Sequence, residues 1–296
     1  MGGGITLHAN WLDVFTYSDD AKTVITGLTS NAGNLTEIVI PKSVTTIYGT
    51  SSSDGAFRNN KILQKVTFED GSQLTSVGNY AFKYCSSLTS ITIPASVTSI
   101  EGDAFSCCYR LIEVYNLSSL SITAGSTDNG DVGYYAKVVH TSLDVEASFV
   151  ESNGVVYYNY NGEKIAVKPV DMNATSVTLD SDCTSINQYA FDNCSKLTTV
   201  TFEEGSLCTS IGNYAFEYCK SLTSIIIPSG VTSIRNRAFY ICSNLSNVSF
   251  EDSDGWYVST SSTATGGTAL TLTDTAQNAT YLRLTYYNYY WKKSTT

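Results

Sequence analysis

Residues 88–100 read LTSITIPASVTSI and residues 222–234 read LTSIIIPSGVTSI, the same phrase met twice in one chain. In the first copy Leu88, Ile91 and Ile93 are apolar, with small polar residues between them. The alternation at Ile91 and Ile93 is the period-two signal of a strand with one buried face. Pro94 then ends the strand by withholding a backbone donor. Val97-Thr98-Ser99-Ile100 follows as a second, shorter extended piece. LQKVTF (63–68) and LTTVTF (197–202) repeat the first half of the phrase.

Each extended segment runs into an Ala-Phe turn. There are six: GAFRNN (55–60), YAFKYC (80–85), DAFSCC (103–108), YAFDNC (189–194), YAFEYC (214–219) and RAFYIC (237–242). Their phenylalanines, Phe57, Phe82, Phe105, Phe191, Phe216 and Phe239, are spaced 25 and 23 apart in each block of three. Periods of this size belong to solenoids whose coils stack side by side. Each coil is expected to run strand, short strand, one-turn helix. The strands fall near 36–40, 64–68, 89–93 and 112–116, then 175–179, 198–202, 223–227 and 246–250. Strands of successive coils should pair about 4.8 Å apart in one parallel ladder. The six phenylalanines should stack as its core.

The pattern L-T-S-I-x-I-P-x-x-V-T-S-I-x-x-x-A-F-x-x-C resembles the BspA-like leucine-rich repeats of bacterial surface and secreted proteins. It covers 35–117 and 174–250, and the segments NLSSLSITAGS (116–126), GYYAKVVHTS (133–142) and YYNYYWKK (286–293) are similar to stretches that accompany such repeats. The resemblance implies a leucine-rich-repeat solenoid of the α/β horseshoe class, mostly β, and an adhesion or interaction role. The repeat arithmetic by itself implies only a solenoid.

The chain reads as two copies of one unit, each a hairpin, a repeat block and an aromatic tail. The expected segments are an N-terminal hairpin or cap (1–34), a first block (35–117), a middle segment (118–173), a second block (174–250) and a C-terminal aromatic cap (251–296). Asn161-Gly162 in VVYYNYNGEKIAVKP is a two-residue hairpin turn signal. DVFTYSDDAKTVITG (13–27) is a weaker analogue turning near Asp19-Asp20. Hairpins and tails would cover the exposed ladder edges of the solenoid. The extra GTSSSD stretch of the first coil should be a surface loop.

Composition narrows the function classes. Of 296 residues, 17 are Lys or Arg and 27 are Asp or Glu, giving a formal charge of −10. That balance argues against nucleic acid and anionic membrane, whose partners need clustered cations. Charged residues make up 15%, below the roughly 25% of an average domain; Ser, Thr, Asn, Gly and 21 Tyr take their place. No apolar run reaches the roughly 18 residues of a spanning helix, so no membrane insertion is expected. The start MGGGIT formally fits an acylation pattern at Gly2 and Thr6, but a trimmed secreted chain fits it better. A secreted or surface location is therefore argued from the resemblance and the composition.

The eight cysteines follow the repeat. Cys85, Cys108, Cys194, Cys219 and Cys242 share one turn position, where the first coil has Asn60. Cys183 and Cys208 replace Val44, Leu74, Val97 or Val231 as small hydrophobes. Free buried thiols are expected, because stacked Cβ atoms about 4.8 Å apart exceed the roughly 3.8 Å a disulfide prefers. Cys107 has no place in this scheme.

No catalytic residue, cofactor or metal site is expected. His8 and His140 lie outside the repeats, so a nucleophile–base pair lacks support. Asp128-Asn129-Gly130-Asp131 and Asp252-Ser253-Asp254-Gly255 cluster carboxylates in turns without full calcium-ligand spacing. Glu69-Asp70 and Glu203-Glu204 repeat with the coil and read as solvated turns. The outward ladder face (Val39, Thr67, Thr92 and Tyr115, then Thr178, Thr201, Ile226 and Ser249, with Glu37, Lys65 and Glu113) lacks hot-spot residues apart from Tyr115. Tyr134, Tyr135, Tyr287, Tyr289 and Trp291 join Tyr115 as binding candidates, against a reading of the same aromatics as caps. The expected protein is a monomeric, non-catalytic module that binds a host or cell-surface protein or glycan. A structural spacer of a longer surface protein, or a hydrolase with its site in the middle segment, are the alternatives.

Overall fold

The computed structural model describes residues 13–294 apart from 33, 52, 146 and 147, so the acylation pattern and His8 lie outside the described residues. The chain forms two compact units, 1–145 and 146–296, each with its own core. Their boundary falls inside the middle segment.

In the first unit Glu37–Ile40, Lys65–Phe68, Ser90–Ile93 and Glu113–Asn116 form a parallel ladder in register. A fifth strand, Val138–His140, extends it in parallel beside Glu113–Asn116. A second parallel sheet is built from Thr46–Ile47, Ser76–Val77 and Ser99–Ile100. It starts on Val24–Leu28, whose other edge pairs antiparallel with Phe15–Tyr17.

The second unit repeats the plan with Ser176–Leu179, Thr199–Phe202, Ser224–Ile227 and Asn247–Phe250. Its other sheet stacks Ser185–Ile186, Ser210–Ile211 and Ser233–Ile234 on the hairpin Val155–Tyr160 and Glu163–Pro169. Asn161 and Gly162 take φ values of 50° and 77° at the hairpin turn, the left-handed pair that Asn-Gly tolerates. Tyr290–Lys293 closes this sheet by pairing antiparallel with Ser233–Ile234, and Trp256–Ser259 pairs with it in turn.

The coil chemistry explains the phrase. Ile38, Val66, Ile91 and Val114 point inward and are buried, as are Val177, Val200, Ile225 and Val248 in the second unit. In V-T-S-I and C-T-S-I phrases three threonines donate their hydroxyl to a carbonyl of the coil before: Thr98 to Thr75, Thr209 to Thr184, Thr232 to Thr209. The glutamate after each Phe-ending strand reaches back as well, accepting from the backbone N–H of Lys42 (Glu69), Ser181 (Glu203) and Ser229 (Glu251) at 2.8–2.9 Å. The repeated carboxylates are thus staples between coils.

The Ala-Phe segments are chains of turns, not one-turn helices. A helix would send each N–H back along its own turn. Here Phe57, Phe82, Phe191 and Phe216 donate theirs to the alanine carbonyl of the next coil, at 2.7–2.8 Å. Tyr80 and Tyr84, with φ of 62° and 63°, also take the left-handed conformation that breaks a helix. The coils approach closely here: a Cβ on Gly212 would stand 2.5 Å from the Gln188 backbone nitrogen. The phenylalanine rings are buried and stack parallel, Phe57, Phe82 and Phe105 at 4.9 Å and Phe191, Phe216 and Phe239 at 5.1 Å.

A helix does occur at Thr275–Thr280, capped by the Asp274 carboxylate, which accepts from Gln277 N–H. It continues as wider turns over Tyr281–Thr285. Buried Asn278 donates its amide to the Val248 and Leu272 carbonyls, sealing the last ladder strand. None of the helices is long and apolar enough to cross a membrane among the described residues.

Candidate interaction surface

The turn-position cysteines are held by the same rule as the coils. Cys85, Cys108, Cys219 and Cys242 donate their S–H to the phenylalanine carbonyl of the preceding coil at 3.0–3.1 Å. Asn60, in the first coil, instead accepts from Ile62 and Leu63 N–H. Cys194, which opens the second block, turns to Asp192 O at 3.9 Å. All eight cysteines are free. Burial pushes Cys85, Cys208 and Cys242 up to about 12 and Cys183 to about 11, with Cys108 and Cys219 also well raised. These thiols are not poised as nucleophiles. Cys107 is partly exposed at φ 62°, its Sγ 3.7 Å from Ser106 Oγ.

The acidic turns are engaged by the fold. Gly130 offers its carbonyl to Phe105 N–H at 2.7 Å, so the 128–131 turn stands where a further Ala-Phe turn would. Asp252 pairs with Lys293, and its carbonyl accepts the Trp256 indole N–H. Among the described residues no group of three or more His, Cys, Asp or Glu could hold a metal ion.

The ladder face differs between the units. In the second, Thr199, Thr201, Ser224, Ile226 and Asn247 are exposed, Ile226 by 57%, and the face carries no charge. In the first, Glu37 and Lys65 are exposed but Glu113 is not. Alternation places Glu113 on the open face, yet the unforeseen strand Val138–His140 brings His140 over it and leaves Glu113 3% exposed. The Glu113 carboxylate accepts from the Tyr115 hydroxyl at 2.8 Å and lies 3.2 Å from His140 Nε2. Burial, then the bond to Glu113, push the Tyr115 hydroxyl above its usual range. Tyr115 is half-buried, its ring 4.9 Å from that of His140.

The other aromatic candidates are scattered. Tyr134 is 45% exposed and meets half-buried Tyr135 edge-on at 4.7 Å. Tyr287 is half-buried and stacks on Tyr240 at 4.5 Å, and Tyr289 packs edge-on against Tyr286. Trp291 is 1% exposed and gives its indole N–H to Tyr286 O at 3.2 Å. It plugs the core end and cannot meet a ligand, a correction that follows from the pairing of its strand with Ser233–Ile234.

Sequence reasoning missed a second aromatic row. Tyr189 and Tyr214 stack at 4.7 Å, and the Arg237 guanidinium stands 5.6 Å from the Tyr214 and Tyr240 ring centroids. Arg237 also holds the C-terminal segment, giving its backbone N–H to Tyr287 O and its Nε–H to Asn288 at 3.1 Å. The signal was present: tyrosine stands before Ala-Phe at Tyr80, Tyr189 and Tyr214.

Comparison with known proteins bears on the whole scaffold. A family model described as BspA type leucine rich repeat region matches residues 22–127 and 170–289, in six copies. A leucine-rich repeat protein of Eubacterium ventriosum is 24% identical over 73% of this chain and 54% of its own, with a TM-score of 0.37. The pneumococcal vaccine antigen PcpA is 18% identical over 81% of this chain and 66% of its own, TM-score 0.38. A leucine rich cell surface protein from Faecalibacterium prausnitzii is 23% identical over 74% and 80%, TM-score 0.27. The chain thus spans between half and two thirds of the first two of these structures. No curated relative matches the sequence.

Proposed function

We propose that this chain, which belongs to the BspA-type leucine-rich repeat family, is a non-catalytic interaction module of a bacterial surface or secreted protein. The observation that carries this reading is the pair of repeat ladders, each stiffened by coil-to-coil bonds, the second of them presenting a regular face to solvent. A repeated rigid scaffold suits weak contacts summed over several points, since linked sites gain avidity without a tight single pocket. The partner class proposed is a host or cell-surface protein or glycan, met through exposed aromatics such as Tyr134.

The charge-free Ser/Thr face of the second unit favours a second reading, in which that unit is a spacer. A binding screen of the purified chain against matrix proteins and glycans separates the two. Saturable binding that weakens at least several-fold in folded Tyr134→Ala supports the module reading with that aromatic in the contact. Saturable binding unchanged in Tyr134→Ala keeps the module and moves the contact. No saturable binding to any of them supports the spacer.

A further inference from the structure

The sequence holds three Asn-Gly pairs, Asn129-Gly130, Asn153-Gly154 and Asn161-Gly162. Their asparagines take φ values of 51°, 49° and 50°, and their glycines 63°, 81° and 77°. The three turns thus share the same left-handed φ at both residues. They differ in the hold that the fold keeps on the side-chain amide and on the glycine that follows it.

Asn129 gives its amide to the Ser121 carbonyl at 2.8 Å. Gly130 is buried and offers its carbonyl to Phe105 N–H, which fixes that turn against the last Ala-Phe segment of the first block. Asn153 gives its amide to two carboxylates, Asp180 at 2.9 Å and Glu203 at 3.0 Å. Hydrogen bonds to ionised groups are roughly twice as strong as neutral ones. The carbonyl of Asn153 also receives Thr178 N–H, and that of Gly154 receives Val170 N–H. Asn161 has no such hold. Its side chain is exposed, and neither it nor the Gly162 N–H makes a hydrogen bond among the described residues. A Cβ at Gly162 would meet nothing within 4 Å. The pair forms the tip of the hairpin Val155–Tyr160 and Glu163–Pro169, beyond the last rung at Tyr160 and Glu163.

We propose that Asn161 is a site of covalent self-modification, losing its amide through attack by the Gly162 backbone nitrogen. A bond forms between that nitrogen and Asn161 Cγ, the Cγ–Nδ2 bond breaks, and ammonia leaves with the Gly162 amide proton. Glycine permits the close approach because it has no side chain. Water then opens the resulting five-membered imide. Cleavage at Cγ leaves aspartate, and cleavage at the main-chain carbonyl leaves iso-aspartate. The attack requires the hairpin tip to open briefly, a local event that a two-residue turn outside the core permits. Either product adds a negative charge beside Glu163. The iso-aspartate also adds one carbon to the main chain, which breaks the match of loop length to turn type and frays the Tyr160–Glu163 rung.

The test incubates the whole chain in warm, mildly alkaline buffer and maps peptides by mass spectrometry, with electron-transfer fragmentation to tell the two products apart. Asn161 should convert first, ahead of Asn129 and about tenfold or more faster than Asn153, whose bonds to two carboxylates must break beforehand. In guanidinium chloride the three rates should converge, because the hold of the fold is gone. A folded chain in which Asn129 or Asn153 converts as fast as Asn161 overturns the proposal. So does a ranking that persists unchanged in denaturant, which assigns it to neighbouring residues rather than to the fold. A folded chain that keeps Asn161 intact while the denatured chain converts all three overturns it as well, since the hairpin then protects its own tip.

Discussion

Replacing Phe216 by alanine should be among the most damaging single changes in the second unit. Its ring is fully buried and lies between those of Phe191 and Phe239, 5.1 Å from each and within 12° of parallel. A buried Phe→Ala substitution costs about 3–5 kcal/mol through lost transfer free energy and the cavity left behind. Two stacked aromatic contacts are lost with it, each worth about 0.5–1.5 kcal/mol beyond area. Collapse around the hole is opposed by the backbone, since Phe191, Phe216 and their neighbours are tied coil to coil at 2.7 Å. The expected loss is therefore about 4–5 kcal/mol, toward the upper end of the range. Phe105 gives the internal comparison: among the described residues it stacks on Phe82 alone, and it offers its N–H to the Gly130 carbonyl rather than to another Ala-Phe coil. Phe105→Ala should cost about 1 kcal/mol less. Urea unfolding of both variants, with the slope held against wild type, reads the difference. A loss below about 1 kcal/mol at Phe216, or a larger loss at Phe105 than at Phe216, would refute the stacked-core reasoning.

Further expectations concern charge, the ladder end and the thiols. Because the fold raises the Glu217 carboxyl from 4.5 to about 7, it favours the protonated form. Its stabilising contribution is present below the unfolded value and is lost as pH rises through about 7. Glu217→Gln should therefore raise stability at pH 8, by about 1 kcal/mol after allowing for solvent screening of a half-exposed group, and leave it little changed at pH 4. Thermal midpoints that show no gain at pH 8 would count against this. Asn278→Ala strips the amide that serves the Val248 and Leu272 carbonyls and should cost about 1–3 kcal/mol in denaturant unfolding. The same burial should keep the Asn278-Ala279-Thr280 sequon unglycosylated in a eukaryotic secretory host, whereas exposed Asn34 is open to modification; intact mass with site mapping decides. In native protein Cys107 should react with a thiol reagent well ahead of the seven buried cysteines, and denaturation without reductant should release eight. Fewer than six would contradict free thiols.

The periodic part of the fold was legible because every coil says the same thing. Strands expected near 89–93 and 223–227 run Ser90–Ile93 and Ser224–Ile227, set by the Ile alternation and the following proline. The Asn161-Gly162 turn was equally plain. Elements that occur once were not: Val138–His140 offers two apolar residues and no alternation, and its existence depends on the open edge of Glu113–Asn116. Thr275–Thr280 has no apolar stripe, being placed by its Asp274 cap and by Asn278. The Ala-Phe turns misled because a one-turn helix and a run of hydrogen-bonded turns share short-range bonds. They differ in where Phe82 sends its N–H, which is a fact about the neighbouring coil. For the same reason the aromatic candidates divided unevenly, Trp291 going inside and Tyr134 outside, since a cap strand has two faces and composition does not choose between them.

The backward reach of threonine, glutamate and cysteine gives the scaffold a grammar of growth. Thr98, Glu69 and Cys85 bond to backbone atoms of the coil before them, groups that every coil possesses whatever its side chains. A duplicated or deleted coil therefore finds its acceptors ready, and array length can drift in evolution without re-inventing an interface. During synthesis the partner of each new coil has already left the ribosome, because chains emerge from the N-terminus. Such a chain can zip up in the order it is made, with the plug of Asn278 and Trp291 following the last coil of the second block to halt its stacking.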